Sequence, residues 1–353
     1  MRVAFVQTYP IYHDGVATDE WLSFNTRELA MAAHLAGAGH EVEYWAVGDR
    51  EERRDIGRPG EGFPFLVFPP SRREGPTRAH VSPALVERAR AFRAGLHLLK
   101  GVDGGIGTHL LRTCLVPDRR EFVLVLGGAV YSRFVPLARG VLCESEDQRL
   151  RLGRPGLRFW RRPVPAARTV FLPPVVDPRL FCPDPAAAKE WDLLVACRLV
   201  ERIKNLSVLG ELGGRFRVAV AGSGPDEARL KRRFPGLAWL GRLPHAELPA
   251  AMRAARLFMH TGLRESMPRV VPEAMACGVP VVAFAGRIAP EAVPDGCGLK
   301  VPVRGFCGPI GALLRDDGAR EEMGRRAREH ALAHWGPERI GPPLDDLLAR
   351  IAR

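Results

Sequence analysis

RESMPRVVPEAMACGVPVVAF, residues 264–284, decides how the rest of the chain is read. Its second half runs in close succession through an amphipathic helical segment, a glycine suited to a helix C-terminus (Gly278), a proline (Pro280) and a continuous apolar strand. That is the junction at which a helix hands over to the next strand of a parallel sheet. Glu265 and Glu273 are separated by seven residues. Glu265 precedes the expected helix and Glu273 lies within it. Ser266 is placed to cap that helix, which would direct the amides of 267–269 at a ligand. A helix N-terminus with free N–H groups is a phosphate site. A carboxylate at Glu273 suits a ribose diol, and one at Glu265 suits hexose hydroxyls. Taken alone, two acids at this spacing more often form a solvated helix face; the surrounding sequence turns the reading.

Working outward, the C-terminal half alternates expected strands at 193–196, 217–221, 238–240, 257–259, 279–283 and 299–301 with helical segments near 204–213, 225–234, 245–255 and 268–277. Arg198 falls just past the first of these strands and Lys204 at the start of the next helix. An arginine fork and a lysine point charge there would flank a diphosphate, although ordinary loop charges would look the same. AGSGP (221–225) follows a strand and opens a helix, so Gly222 and Gly224 suit a tight turn with close backbone approach. It lacks the GxGxxG spacing of a dinucleotide site.

The N-terminal half reads as strands at Arg2–Gln7, Glu41–Val47, Phe63–Phe68, 121–126 and Gly140–Cys143, with helices at 21–37 and 83–100. Repeated strand–helix–strand order means parallel pairing covered by helices on both faces. The prolines at 173, 174, 178, 183 and 185 read as a stiff linker. The expected organisation is a first Rossmann-like domain over 1–173, a second over 174–335 and a final helix over 336–353. The fold class is α/β, two Rossmann-like domains facing across a cleft, with ligands at the carboxyl ends of the strands.

Of 353 residues, 46% are hydrophobic and 26% charged, the composition of a soluble globular protein. No apolar run approaches the roughly 18 residues of a membrane span, and the N-terminus lacks signal-peptide character. The expected location is cytoplasmic, with peripheral attachment at the inner membrane face as the sharper form. Seven scattered cysteines without a CxxC pair read as buried free thiols, so no metal site is expected. The net charge is +12, and only five of the 52 basic residues are lysine. Codon bias explains such a skew as readily as an anionic partner does. Arginine-rich stretches at 72–100 and 149–168 place much of the charge in the N-terminal half.

In order and rough spacing, Arg198 and Lys204, AGSGP, WLGRLPHAEL (239–248), Glu265-x7-Glu273 and EAMACGVPVV resemble the family 4 retaining glycosyltransferases with the GT-B fold, among the group 1 glycosyl transferases. HLAGAGHEV (34–42), VLCESEDQ (141–148) and FLPPVVDPRLFCPDP (171–185) are looser echoes of the same pattern. The resemblance covers most of the chain, is specific from 193 to 302 and weak from 50 to 140. It implies a nucleotide-sugar donor, with UDP the commonest base in the family, held mainly by the C-terminal domain. It also implies a last helix that crosses back to the N-terminal domain. Arg198 and Lys204 would neutralise the departing diphosphate, Glu265 would contact the donor sugar, and Glu273 would bind the ribose. Ser266, Met267, Pro268 and Arg269, with Gly222, Gly224, Arg242 and Leu243, would complete the donor site. Neither metal nor cofactor is implied beyond the donor itself. The basic N-terminal half suits an anionic or membrane-associated acceptor, and no nucleic-acid signature is visible.

Two departures stand out. The family ends its central N-domain strand with a histidine, whereas this chain has Leu126-Gly127-Gly128. His109 is the nearest substitute, though it reads better as an ordinary strand-end histidine. The first loop, Tyr12-His13-Asp14-Gly15-Val16, carries one glycine where the family commonly has two. Asp14 and Gly15 are candidates for donor or acceptor contacts, or plain turn residues. The missing histidine motivates an alternative reading, a nucleotide-sugar-binding protein with weak or no transferase activity. A nicotinamide oxidoreductase is a third reading, disfavoured by the absent GxGxxG.

Overall fold

The computed structural model describes residues 1–58, 62–128, 130–154 and 162–351, the Asp14 side chain excepted. The side chain of the loop candidate Asp14 and part of the arginine-rich stretch at 149–168 therefore lie outside what is described. Contacts divide the chain into two units, Met1–Pro173 with Glu338–Arg353, and Pro174–Pro337. Among the described residues no helix is long and apolar enough to cross a membrane.

The first unit runs β1 (Arg2–Gln7), α1 (Thr18–Phe24), α2 (Thr26–Gly37), β2 (Glu41–Val47), β3 (Glu52–Ile56), β4 (Phe63–Phe68), α3 (Pro83–Phe92), β5 (Leu96–Lys100), α4 (Gly105–Leu110), β6 (Phe122–Val125), β7 (Gly140–Cys143), α5 (Glu146–Gly153) and β8 (Thr169–Phe171). The eight strands lie in the order β3-β4-β2-β1-β5-β6-β7-β8. All pairs are parallel except β3 with β4.

Three expectations need correction here. The helix expected over 83–100 ends at Phe92, where Arg93 turns left-handed (φ 50°), and LHLLK at 96–100 is the strand between β1 and β6. An apolar run buried on both faces satisfies either period. The helix expected over 21–37 breaks at Asn25, whose Nδ2 donates to the Trp21 carbonyl at 2.7 Å. β3, ERRDI, had no signal: it is an edge strand with polar side chains on both faces, a device that blunts edge pairing.

The second unit runs β9 (Trp191–Ala196), α6 (Glu201–Lys204), α7 (Leu209–Gly213), β10 (Val218–Ala221), α8 (Glu227–Arg233), β11 (Ala238–Gly241), α9 (Leu248–Arg253), β12 (Ala255–His260), α10 (Val270–Ala276), β13 (Val281–Phe284), β14 (Gly298–Val301), α11 (Cys307–Arg315) and α12 (Asp317–Trp335). Its parallel sheet has the order β11-β10-β9-β12-β13-β14. Alternate strand residues bury on opposite faces: Leu194, Ala219 and Phe258 with Val271 and Met275 of α10 on one, and Leu193, Val218 and Leu257 with Leu212 and Ile310 on the other. α10 and α12 approach closely, since a Cβ at Gly324 would stand 2.3 Å from the Gly278 carbonyl oxygen. The last helix, α13 (Gly341–Ile351), belongs to the first unit. A Cβ at Gly140 of β7 would stand 2.6 Å from Leu347 Cδ1, and His34 meets Asp345 at 2.8 Å.

Candidate functional site

In the second unit the strand order reverses between β9 and β12, the point at which open α/β sheets leave a crevice for ligands. The chain leaves β9 into Cys197 and Arg198, and leaves β12 into Thr261 and Gly262. The AGSG loop lies directly against the first of these: Leu199 N donates to Ser223 O at 2.8 Å, and Cys197 N to Ala221 O at 3.1 Å. This closeness is what Gly222 and Gly224 supply. Gly222 has φ 136°, and a Cβ there would stand 1.9 Å from the Cys197 carbonyl oxygen; one at Gly224 would stand 2.5 Å from the Leu199 carbonyl oxygen. Gly222→Ala is therefore expected to destabilise the second unit by about 3 kcal/mol or more, through backbone strain and displacement of the 197–199 loop. A urea melt superimposing on that of the wild type would contradict this.

Lys204 ends the single turn of α6, and Asn205 then turns left-handed at φ 51°. Thr261 Oγ1 donates to the Lys204 carbonyl at 2.6 Å, which ties this turn to the end of β12. The Lys204 ammonium forms an ion pair with Glu265 Oε1. Glu265 is itself held by a backbone bridge to Ile288. Its second oxygen, Oε2, faces His260 Nε2 at 3.4 Å. Burial pushes the His260 imidazole down to about 4, with Lys204 adding to the shift and Glu265 opposing it. The ring is thus neutral near pH 7. Burial likewise pushes the Cys197 thiol up to about 12, so no thiolate forms there at neutral pH. Arg198 is exposed, and its guanidinium makes no ion pair among the described residues.

Glu273 is 8% exposed and sits in the first turn of α10. His245 Nε2 meets its Oε1 at 3.1 Å, and the His245 ring packs 5.1 Å from that of Phe181. Arg242 and Leu243 lie on the same connection as His245, Arg242 exposed and Leu243 packed against the core. Ser266 does not cap the helix. α10 begins at Val270 with Arg269 in the cap position and no side-chain cap, and the Ser266 carbonyl instead accepts from Ala289 N at 3.2 Å. Pro268 carries no N–H, so it contributes only a carbonyl, which accepts from Val271 N at 3.0 Å. The expected row of amides over 266–269 is accordingly interrupted, while Met267 and Pro268 are buried.

Arg198, Lys204, Glu265, Gly222 and Gly224 thus meet through direct loop contacts around the strand ends. Glu273 is held by a separate pair with His245. Sequence reasoning missed His260, Thr261 and His245. The one signal for His260 was a polar residue closing an apolar strand.

In the first unit, Tyr12-His13-Asp14-Gly15 forms a turn with Gly15 at φ 71°. His13 Nδ1 meets Thr77 Oγ1 at 2.5 Å and Tyr12 Oη meets His80 Nδ1 at 2.7 Å, contacts that suit the turn reading. A cavity of about 330 Å³ opens beside this loop, lined by residues including Tyr12, Thr18, Asp49, Arg50 and Arg54. His109 stands on α4 and not at a strand end; the chain past β5 turns straight into that helix. Gly127 and Gly128 follow β6. The Gly127 carbonyl accepts from Gln148 Nε2 at 2.8 Å, and the Leu126 carbonyl from Lys100 Nζ at 3.0 Å.

Lys100 belongs to a largely buried quartet beneath this loop. It pairs with Glu144 at 2.9 Å and Glu28 at 3.1 Å, and Arg27 pairs with the same two carboxylates at 2.8 and 2.6 Å. Burial alone would push both carboxyls up. Arg27 first and Lys100 second outweigh it for Glu28, and Lys100 first and Arg27 second for Glu144, leaving both below their ordinary values.

Residues 192–316 match the family described as Glycosyl transferases group 1. A "GDP-mannose-dependent alpha-mannosyltransferase" of Mycobacterium tuberculosis (strain CDC 1551 / Oshkosh) is 34% identical over 294 residues, which span 72% of this chain and 73% of that protein. A "GDP-mannose-dependent alpha-(1-6)-phosphatidylinositol monomannoside mannosyltransferase" of Mycolicibacterium smegmatis (strain ATCC 700084 / mc(2)155) is 34% identical over 218 residues, 52% of this chain and 57% of that protein. Among solved structures, sucrose-phosphate synthase from Thermosynechococcus elongatus superimposes with a TM-score of 0.74 at 17% identity, covering 100% of this chain and 99% of that one. Anabaena HepE in complex with UDP-glucose does so with a TM-score of 0.71 at 16% identity, covering 99% of each. At such identities these two likenesses concern the fold, which is GT-B.

Proposed function

Since the chain belongs to the group 1 glycosyl transferases and transfers a sugar from a nucleotide-sugar donor, we propose that the donor is GDP-mannose and that transfer proceeds with retention and without a metal ion. The donor named for the curated relatives supports GDP over the UDP expected at first. The observation that carries the reading is the Lys204–Glu265 ion pair at the strand reversal, beside the exposed Arg198. A diphosphate entering there draws Lys204 off Glu265. The cation moves to the leaving group, and the released carboxylate becomes available to the sugar hydroxyls. Glu273, braced by His245, holds the ribose.

Glycosyl transfer passes through an oxocarbenium-like state while negative charge builds on the departing diphosphate. Arg198 and Lys204 bind that charge more tightly in the transition state than in the ground state, the role a divalent cation fills elsewhere. The acceptor hydroxyl attacks from the face that the diphosphate leaves, and a phosphate oxygen takes its proton. An anionic, lipid-linked alcohol is the proposed acceptor class. The phosphatidylinositol monomannoside named for one relative supports it, as does the cavity of the first unit, where Arg50 makes no ion pair among the described residues.

The test is turnover with GDP-mannose and UDP-glucose against phosphorylated and unphosphorylated acceptors, with and without EDTA, followed by assignment of the product anomer by NMR. GDP release with an α-linked product, unaffected by EDTA, is expected. Release from UDP-glucose alone overturns the donor assignment, a β-linked product overturns retention, and loss of activity with EDTA overturns metal independence. Binding of GDP-mannose with no transfer to any acceptor overturns the transfer itself.

A further inference from the structure

We propose that His260 is the receiving partner of Glu265: when the donor diphosphate draws Lys204 away, the His260 Nε2–H takes over the Glu265 carboxylate and holds it in place for the sugar. This rests on the assignment of Lys204 and Glu265 to the donor site made above.

The geometry sets two polar atoms against each other. His260 Nε2 and Glu265 Oε2 are both buried, both lack a hydrogen-bond partner among the described residues, and stand 3.4 Å apart. Glu265 spends its other oxygen on Lys204. The pair is thus poised just short of a hydrogen bond while Lys204 holds the carboxylate from the other side. Buried polar atoms left in this state are rare and call for a reason. A transient partner supplies one. A small rotation of the Glu265 side chain, released from Lys204, closes the gap to Nε2.

The surroundings keep this path open. A Cβ at Gly262 would stand 2.5 Å from Glu265 Oε2 and 2.9 Å from His260 Nε2, so any side chain there would wedge the pair apart. Gly262 is not a left-handed position; its need is for space. The rest of the cluster is fixed. Thr261 Oγ1 ties the Lys204 carbonyl to the strand end, and Glu265 is bridged to Ile288 through its backbone. Motion is therefore confined to the Lys204 and Glu265 side chains. The charged groups that bear on His260 are Glu265 and Lys204, and the Cys197 thiol on the neighbouring strand end faces the same two. His260 is neutral, and in its Nε2–H tautomer it donates to a carboxylate without placing a second cation beside Lys204. His260 touches neither diphosphate nor sugar in this arrangement; it is a positioning residue.

The test titrates GDP-mannose calorimetrically into the full chain and its variants. His260→Leu is expected to weaken binding about tenfold, the size of one hydrogen bond to a charged group. His260→Gln, which keeps an N–H donor, is expected to stay within about twofold of wild type. In a Glu265→Gln background, where no carboxylate needs receiving, His260→Leu is expected to change affinity less than about twofold. Melting temperatures of the unliganded variants, compared alongside, identify a folding defect in His260→Leu; the His260→Gln comparison and the double variant then decide. Wild-type affinity in His260→Leu overturns the proposal. So does an equal loss in His260→Gln, or an undiminished loss in the Glu265→Gln background, either of which marks a purely structural ring. Lys204→Ala separates the two levels. If it binds GDP-mannose as wild type does, or if the wild type does not bind it, the donor-site assignment fails and this proposal with it. If Lys204→Ala is weakened while His260→Leu is not, this proposal alone fails.

Discussion

Lys204→Ala is expected to weaken GDP-mannose binding by about 10- to 30-fold and to lower turnover by roughly 100- to 1,000-fold. The two numbers differ because Lys204 is engaged before the donor arrives. In the unliganded protein its ammonium already holds Glu265, so binding exchanges one charge-assisted contact for another and the net ground-state gain is modest, about 1.4–2 kcal/mol. The transition state has no such offset. Charge accumulates on the leaving diphosphate as the bond breaks, and removing one preorganised donor to a developing anion lowers kcat by about 100- to 1,000-fold. Steady-state kinetics with saturating acceptor separates the two effects. A variant that raises KM and leaves kcat untouched would place Lys204 outside the reacting charge. The comparison with Glu273→Ala is informative in a different way. At first sight this substitution would silence donor binding and leave the unliganded protein as stable as before. The structure alters that expectation. The carboxylate is buried and paired with His245, so its loss removes a buried hydrogen bond to a charged group and is expected to lower unliganded stability by about 1–3 kcal/mol.

The largest effect on stability is expected at Lys100→Met. The quartet of Arg27, Glu28, Lys100 and Glu144 is electrically neutral with its two cations and two carboxylates. Removing the lysine leaves two buried carboxylates facing one arginine, and breaking a buried network from one side costs about 3–5 kcal/mol. The double replacement Lys100→Met with Glu144→Gln restores the balance of charge and is expected to recover more than half of that loss. Urea unfolding of the first unit, followed by the fluorescence of its buried Trp21 and Trp45, measures both. A double variant no more stable than the single one would show that the lysine acts by volume and not by charge. Because Lys100 also holds the Leu126 carbonyl, the single variant loosens the Gly127-Gly128 turn as well.

The second unit was the more legible half of the chain. Its sheet is built round the fully buried apolar runs LLVA (193–196), VAVA (218–221) and VVAF (281–284), and the helix between Glu265 and Gly278 announces its own end. Both glutamates were visible from their spacing. Their partners were not. His245 reaches Glu273 across 28 residues, and no local pattern carries such a contact. His260 lies only five residues before Glu265, yet it reads as the last residue of an apolar strand. In the first unit, LHLLK satisfied a helical period because every position in it but the last is buried, and ERRDI satisfied none. Lys100 closed the segment expected as a helix over 83–100 and Glu144 followed the strand Gly140–Cys143, so nothing local linked the two. Only the parallel packing of β5 beside β6, and β6 beside β7, brings them together.

The return of α13 to the first unit has a consequence for how the protein is made. The chain completes the sheet of that unit by residue 171, but Gly140 keeps its surface bare until Leu347 arrives to cover it. A ribosome releases the segment 174–337 in between, and that segment contains all the strands of its own sheet. Vectorial synthesis therefore lets the later unit close first, while the earlier one waits for α13 to seal it.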